Sequence, residues 1–244
     1  MHEYKKYSMR IIIFRLKIRF YKRTMFKMFL IGLIILGSTI VFVACYPENK
    51  KQDYPYEFPN KIVEKQFALW YEKQDKNKIT EYQNYVAKYV KRVPSIFELT
   101  YNQTNNLKNC EKYQFNIPPK EYWKNIIGTL QMVEKLQENG LFEQYRIISS
   151  YHPDLESACF SHSPISPHMR NQSIDIQVLD ENHQPYMNKT LIMNKMCLFW
   201  RKEGRELRMG LGIYDQDIFH IDTLGHSTWG TGHSLQRSPC YTLK

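Results

Sequence analysis

The chain has 244 residues, of which 43% are hydrophobic and 24% are charged, and its net charge is +10. This composition is typical of a soluble globular protein and excludes a disordered chain. Residues 1–45 hold nine of the Lys and Arg residues and one acid, so residues 46–244 are close to neutral. The basicity therefore indicates a targeting segment, and we expect no nucleic-acid partner.

The N-terminal segment has the pattern of a secretion signal. A basic region is followed by 16 mostly apolar or small residues, Met28–Val43, and then by Ala44 and Cys45. The ending Phe-Val-Ala-Cys resembles the lipobox of bacterial lipoproteins, which implies cleavage before Cys45 and lipidation of its thiol. An uncleaved membrane anchor is the alternative, and both predict an extracytoplasmic, periplasmic and membrane-anchored protein. The length of the basic region favours a translation start at Met25 or Met28.

If Cys45 is lipidated, the remaining cysteines are Cys110, Cys159, Cys197 and Cys240. An even number in an oxidising compartment permits up to two disulfides, and the sequence does not choose among the three pairings. Buried free thiols are the alternative. The chain has no C-x-x-C pair, so we do not expect a cysteine zinc knuckle.

Residues 46–118 predict a tether followed by a helical extension. Residues 46–60 are polar with three prolines, which favours a tether between the membrane and the folded part. Residues 61–92 have apolar side chains at helical spacing in two sets, separated near Asp75, so we expect two helices with an aromatic packing surface. Residues 93–118 are rich in Asn and Thr and indicate an irregular connection. Residues 61–118 are therefore a helical extension and linker.

Residues 119–244 combine helical and strand patterns. A helix is expected from Pro119, which suits a first helical turn, to Gly140, which ends it. Ser173–Leu179 alternates polar and apolar residues as a half-buried strand does. The other predicted elements are a strand at 145–151, a loop at 152–167, a helix at 188–203 and strands at 208–214 and 218–222. This order predicts an α+β fold with a small antiparallel sheet flanked by helices.

Two histidines and one aspartate are the candidate metal ligands. His168 precedes the strand that carries Asp175, and His220 lies on the last predicted strand. Because alternate residues of a strand share a face, Asp175 is expected on a polar face that looks into a cleft. Two imidazoles and a carboxylate are the ligand set of a catalytic zinc ion, which keeps a fourth position open for water. The sequence therefore predicts a Zn²⁺ site.

Two further aspartates flank His220. Asp222 shares a strand face with His220, and Asp217 lies just before the strand. Hydrolysis assisted by a metal needs a carboxylate that moves the proton of the attacking water. We expect Asp217 to act as this base and Asp222 to orient a ligand histidine. The reverse assignment stays open.

The first of these motifs resembles a signature of the zinc D-Ala-D-Ala carboxypeptidase and dipeptidase family of metallopeptidases. Ser166-x-His168-x(6)-Asp175 is similar to the family's Ser-x-His-x-x-Gly-x-Ala-x-Asp, and residues 147–151 are similar to the segment that precedes it. The resemblance covers roughly residues 119–230. It implies that residues 119–244 form a zinc peptidase domain with a hedgehog/DD-peptidase-like fold.

The closing motifs resemble the periplasmic branch of the same family. Its Gly-x-Tyr, His-x-Asp and Trp are matched at residues 212–214, at residues 220–222 and at Trp229. The resemblance implies that the two histidines and the aspartate bind zinc and that the acid three positions before the last histidine, Asp217, is the general base. Trp229 is then expected in contact either with the substrate or with a metal ligand. The implied substrates are the stem peptides of peptidoglycan.

The chain departs from the family pattern at three positions. Asn171 and Ser173 stand where the signature has Gly and Ala, and His152 stands where the family commonly has an arginine that stabilises the oxyanion. An imidazole can donate a hydrogen bond in the same role, so we expect His152 to assist catalysis. Ser166 either helps to position the site or forms a turn.

The expected function is therefore that of a zinc metallopeptidase, a carboxypeptidase or endopeptidase, that hydrolyses peptidoglycan stem peptides. A catalytically weak or inactive cell-wall-binding lipoprotein that retains the fold is one alternative. A structural zinc protein is another, and Asp222 or His162 would then be the fourth ligand. His226 and His233, in a tail rich in Gly, Ser and Thr, are expected at the surface or in a substrate groove.

Overall fold

The computed structural model describes residues 59–103, 110–153, 159, 166–214 and 218–242. All of them belong to one compact unit that runs from Tyr54 to Lys244. The predicted signal segment with Cys45, most of the tether, and the candidate residues His162 and Asp217 lie outside the described residues. None of the helices in the described part is long and apolar enough to span a bilayer.

A mixed sheet of five strands organises this unit. Its strands are β1 (Gln144–Ser149), β2 (Ser173–Leu179), β3 (Gly210–Ile213), β4 (Ile218–Asp222) and β5 (Ser227–Trp229). They lie in the order β1-β2-β4-β3-β5, and every neighbouring pair is antiparallel except β3 with β5, which is parallel. The α+β class is confirmed. The expectation of an antiparallel sheet was wrong because β5, with three residues, is too short to show alternation in the sequence.

Six α-helices accompany the sheet in the described residues. They are α1 (Lys61–Glu72), α2 (Lys76–Val86), α3 (Ile96–Thr100), α4 (Asn125–Glu138), α5 (Lys189–Lys202) and α6 (Pro239–Thr242). The two helices predicted before residue 92 are confirmed. Their break has a physical cause, because the Asp75 side chain accepts backbone N–H groups from Asn77 and Lys78 and so caps α2.

The segment 93–118 contains more order than its composition indicates. Ser95 and Glu98 form a reciprocal capping box at the start of α3. The other carboxylate oxygen of Glu98 accepts a hydrogen bond from Arg92 at 2.7 Å, and both side chains are almost fully buried. A helix of five residues has too few apolar repeats to be recognised by periodicity, which is why an irregular connection was expected there.

The helix predicted from Pro119 begins later than expected. Pro119 precedes a single 3₁₀ turn at Lys120–Tyr122, and α4 starts at Asn125. The predicted end is confirmed, because Gly140 follows α4 with a φ of 69°, a conformation that residues with a side chain rarely adopt.

One hydrophobic core lies on one face of the sheet and includes residues from the helical extension. The apolar side chains of β2 and β4 on this face are Ile174, Ile176, Val178, Phe219 and Ile221. They share a buried cluster with α4 and α5, and with Tyr82 and Val86 of α2. Burial of each large apolar side chain contributes about 1.5–3 kcal/mol. The boundary predicted at residue 119 therefore separates two parts of one core.

A second, aromatic cluster joins α1 to the segment that follows α2. Phe67 of α1 lies 5.2 Å from the ring of Phe97 and 5.5 Å from that of Phe115. Tyr101 stacks on Phe97 at 4.5 Å. The aromatic stripe of α1 is thus a packing surface, as its helical spacing predicted.

Two disulfides connect the cysteines of this unit, Cys110 to Cys159 and Cys197 to Cys240. The structure selects this pairing from the three that the sequence left open and excludes buried free thiols at these positions. The bonds close loops across sequence separations of 49 and 43 residues. A crosslink of this span stabilises the folded chain by about 2–4 kcal/mol.

Candidate metal centre

A tight turn before β2 places the first histidine. Ser166 accepts a hydrogen bond from the backbone N–H of His168 at 3.3 Å and so caps the 3₁₀ turn Pro167–Arg170. The turn ends at Asn171, whose φ of 54° and ψ of 41° are left-handed. This conformation favours Gly and is tolerated best by Asn among other residues, which explains why Asn171 can stand where the resembling signature has Gly.

The pairing of β2 with β4 brings the other two candidate ligands together. Asp175 lies directly opposite His220 in the antiparallel register, so the two side chains project from the same face of the sheet. His168 reaches this face from the turn. All three side chains are buried, with exposed fractions of 0% for His168, 7% for Asp175 and 3% for His220.

Three ligand atoms converge at this point. Asp175 Oδ1 lies 3.2 Å from His168 Nε2 and 2.9 Å from His220 Nδ1, and the two nitrogens are 3.1 Å apart. A metal ion could be held by this cluster, whose ligand atoms all lie within 4.8 Å of one another. The structure therefore brings together the three residues that the sequence predicted as ligands.

The outer nitrogen of each imidazole is held by an acceptor. His168 Nδ1 donates to the backbone carbonyl of Ser150 at 2.6 Å, and His220 Nε2 donates to Asp222 Oδ2 at 3.2 Å. When both rings are neutral, these acceptors place the ring protons on the outer nitrogens and leave lone pairs on the two nitrogens that face Asp175. Three electron-pair donors then face one another, an arrangement that a bound cation satisfies.

The charges in the cluster are strongly coupled. Burial alone would raise the pKa of Asp175, but the charge of His168 and hydrogen bonds from both histidines hold it well below its usual range. Burial alone would lower the pKa of His220, but its hydrogen bonds to Asp175 and Asp222 raise it to about 9. A proton on His220 thus balances the carboxylate when no metal is bound, and a divalent cation can take the place of that proton.

Residues from the helical extension support this arrangement. The Oδ1 atom of Asn102 accepts hydrogen bonds from the Ser149 hydroxyl and the Ser150 backbone N–H, and its Nδ2 atom donates to the Tyr151 carbonyl at 2.7 Å. Asn102 is fully buried. It therefore fixes the chain that presents the Ser150 carbonyl to His168, a contribution that the Asn/Thr-rich sequence around it did not indicate.

The glycines of β3 make room for side chains of neighbouring strands. A Cβ atom on Gly210 would lie 2.2 Å from Asp222 Oδ2, and one on Gly212 would lie 2.6 Å from Trp229 Nε1. The indole of Trp229 can therefore lie over Gly212, with its ring 5.0 Å from that of His220. The sequence left open whether Trp229 contacts the substrate or a metal ligand, and the structure places its ring beside that of His220.

The remaining candidate histidines have different surroundings. His152 is buried and stacks on His168, with ring centroids 5.4 Å apart and planes at 20°. His226 stacks on Trp200 at 4.2 Å and bonds to its carbonyl oxygen. His233 is exposed, and its ring lies 6.2 Å from that of Tyr214.

The role expected for Asp217 as a base stays a prediction, because this residue lies outside the described part of the chain. Tyr214, three positions earlier, is a site residue that the sequence identified only as part of a resembling motif. Its signal is the period of two along β3, which puts Gly210 and Gly212 on the face that carries His220. Tyr214 follows β3 directly and continues this pairing, because its backbone N–H donates to the Ile218 carbonyl.

The chain was compared with protein-family models, curated proteins and solved structures, and nothing in these three comparisons matches it.

Proposed function

We propose that this protein is a zinc-dependent peptidase that hydrolyses the stem peptides of peptidoglycan outside the cytoplasm. The observation that supports it most directly is the convergence of His168 Nε2, His220 Nδ1 and Asp175 Oδ1. Two histidines and one carboxylate suit a catalytic zinc ion with an open position, whereas structural zinc sites have four protein ligands. The substrate class comes from the motif resemblance.

Each residue of the candidate metal centre would have a defined role. His168, Asp175 and His220 hold the ion, while the Ser150 carbonyl and Asp222 fix the orientation of the two imidazoles. Zinc, when bound, supplies Lewis acidity and lowers the pKa of water. A carboxylate must accept the proton of the attacking water, and we assign this role to Asp217 from the sequence.

Two features support a location outside the cytoplasm. The signal pattern before Cys45 predicts export, and two disulfides are typical of oxidising compartments. A lipid anchor at Cys45 with a polar tether would keep the enzyme close to the cell wall.

A second candidate function is cell-wall binding with weak or absent turnover. One observation favours it, because the buried ring of His152 stacks on His168 where the family resemblance implies an arginine for the oxyanion. Asp217→Asn separates the two functions. A peptidase should retain metal and lose cleavage of muropeptides, whereas a binding protein has no cleavage to lose and should still sediment with sacculi.

The ligand assignment is tested with His168→Ala in the full-length, disulfide-bonded protein. We expect one zinc ion per chain in the wild type and loss of both zinc and muropeptide cleavage in the variant, measured by elemental analysis and mass spectrometry of digested sacculi. His226→Ala is the matched control, because it removes a histidine that packs against Trp200 and does not belong to the converging cluster. Full zinc occupancy in His168→Ala would refute the assignment.

A further inference from the structure

The face of the sheet that carries the ligands is more exposed toward one end of its strands. Ser173 and Asp222, opposite each other on β2 and β4, are buried, and so are Asp175 and His220 in the next pair. Gln177 and Ile218, the pair after that, are both partly exposed. The more exposed approach to the cluster is therefore from the side of Gln177 and Ile218.

Four side chains form this approach, and we call them the open row. They are Arg146, Gln177, Ile218 and Tyr214. Arg146 lies opposite Gln177 on β1 and bonds to its side-chain oxygen at 2.6 Å, and the backbone N–H of Tyr214 donates to the Ile218 carbonyl. Each member is partly exposed. The open row is thus the partly exposed end of the sheet face that carries the metal ligands.

Tyr214 brings a hydroxyl from the open row toward the ligands. Its oxygen accepts a hydrogen bond from Trp229 Nε1 at 3.5 Å, and the Trp229 indole crosses Gly212, the residue opposite His220. Burial raises the pKa of Tyr214 above its usual value, and the negative charge of Asp175 raises it further. The hydroxyl stays protonated at neutral pH, and it contacts an indole whose ring lies 5.0 Å from that of His220.

The hydroxyl of Tyr214 can donate a hydrogen bond. Within the described residues the only hydrogen bond at this oxygen is the one that it accepts from Trp229. A phenol that accepts one hydrogen bond becomes a better donor of its own. His152 does not offer an equivalent group on the open row, because its ring is buried against the face of His168.

We propose that Tyr214 is a catalytic residue whose hydroxyl donates a hydrogen bond to the oxygen of the scissile carbonyl as that oxygen gains negative charge, and that Trp229 positions it. This inference rests on the proposed peptidase function. During hydrolysis the oxygen of water bonds to the carbonyl carbon, the carbon–nitrogen bond breaks, and both water protons pass to the leaving nitrogen. Tyr214 keeps its proton throughout. It supplies the oxyanion stabilisation that the sequence assigned to His152.

The test is Tyr214→Phe in the full-length, metal-loaded protein, which removes one oxygen atom and keeps the ring. We expect full zinc occupancy, an unchanged KM for muropeptides and a kcat lower by about 10²–10³-fold, as for removal of an oxyanion donor. Trp229→Phe should lower kcat by a smaller factor. Tyr241→Phe is the matched control, because Tyr241 is 61% exposed and lies on α6.

A binding measurement separates a catalytic role from a structural one. A phosphinate dipeptide carries a charged tetrahedral centre and resembles the transition state, whereas the corresponding dipeptide product does not. Calorimetry should show about 10²-fold weaker binding of the phosphinate to Tyr214→Phe and unchanged binding of the product.

The outcomes distinguish the inference from the function on which it rests. If the wild type cleaves muropeptides and Tyr214→Phe retains its kcat and its phosphinate affinity, the role of Tyr214 is refuted and the peptidase function stands. If the wild type holds zinc and cleaves no muropeptide, both are refuted.

Discussion

The two faces of the sheet are equally buried near the candidate metal centre and differ completely in chemistry. On one face, Ile174 and Ile176 of β2 and Phe219 of β4 are buried in a packed core. On the other, Asp175 and His220 are removed from water to almost the same extent. Burial of the first set stabilises the fold, whereas burial of the second set costs free energy unless charges and hydrogen bonds are paired. The residues that stabilise the fold and those of the candidate metal centre therefore lie on opposite faces of the same sheet.

The contrast extends to the smallest residues of β3. Leu211 and Ile213 point into the core, while Gly210 and Gly212 alternate with them on the other face. The missing side chains leave space for Asp222 and Trp229 beside the ligands. The side chains of Leu211 and Ile213 therefore pack in the core, and the lack of side chains at Gly210 and Gly212 leaves room at the candidate site.

The largest expected effect is on stability and comes from a substitution on the face of the sheet that packs in the core. Phe219→Ala should lower the free energy of unfolding by about 3–5 kcal/mol, because Phe219 is 1% exposed and the change leaves a cavity. Urea unfolding measures this loss, and the folded fraction should still bind one zinc ion. Leu191→Ala, at a position that is 42% exposed, is the control and should change stability much less. Loss of zinc from folded Phe219→Ala would show that the two faces are not independent.

On the site face, Asp222→Asn should weaken zinc affinity about 10–100-fold with little effect on stability, because Asp222 orients His220 and does not itself belong to the converging cluster. Competition with a chromogenic chelator measures the affinity. Asp180→Asn makes the same change of charge in a turn, where Asp180 accepts two backbone N–H groups, and should leave affinity unaltered. A complete loss of zinc in Asp222→Asn would instead indicate that Asp222 is a direct ligand.

The pH dependence of metal binding tests the charge balance of the same face. The pKa of His220 in the metal-free protein is raised from 6.5 to about 9, so binding near neutral pH must displace a proton. Apparent zinc affinity should therefore increase by up to about tenfold per pH unit as pH rises toward 9, and it should level off above that pH. Calorimetry in buffers of different ionisation enthalpy counts the released protons. No proton release at pH 7 would contradict this coupling.

The raised pKa of His220 also means that the metal-free protein should become less stable at alkaline pH. Because the folded pKa of His220 exceeds its ordinary value of 6.5, the stabilisation is fully present below pH 6.5 and is lost as pH rises toward 9. The pKa of Asp175 is shifted down, so its contribution is present at neutral pH and is lost only in acid. Thermal melting of the chelated protein across this range should show the decline, and zinc should abolish it.

The smallest expected effect concerns one hydroxyl on the site face. Ser173 is fully buried, and its Oγ has no hydrogen-bond partner among the described residues. Ser173→Ala should therefore raise the free energy of unfolding by about 1 kcal/mol. Ser149→Ala, which removes a hydroxyl that donates to Asn102, should have the opposite sign. Destabilisation by Ser173→Ala would show that a bound water or ion satisfies this oxygen.

Several elements were predictable from the sequence because their signals are local. The alternation of Ser173–Leu179 has the period of a strand, and β2 has the predicted bounds. His168, Asp175 and His220 were identified from residue type and from their places beside strands. These inferences needed only neighbouring residues, and so did the cap at Asp75 that separates α1 from α2.

Other features depend on contacts between distant parts of the chain and were decided by the tertiary structure. Composition permitted three disulfide pairings, and packing selected Cys110 with Cys159 and Cys197 with Cys240. The strand β5 exists because β3 offers it a free edge, and its three residues carry no periodic signal of their own.

The chemistry of the site divides in the same way. The amino-acid sequence by itself determined which side chains could bind a metal, since that depends on residue type. Only the tertiary structure decided that the Ser150 carbonyl holds His168 and that His220 is the histidine that Asp222 orients. It also placed the Tyr214 hydroxyl against Trp229 and buried His152 against His168. The physical reason is that hydrogen-bond direction and burial are set by strand register and packing between residues far apart in the chain.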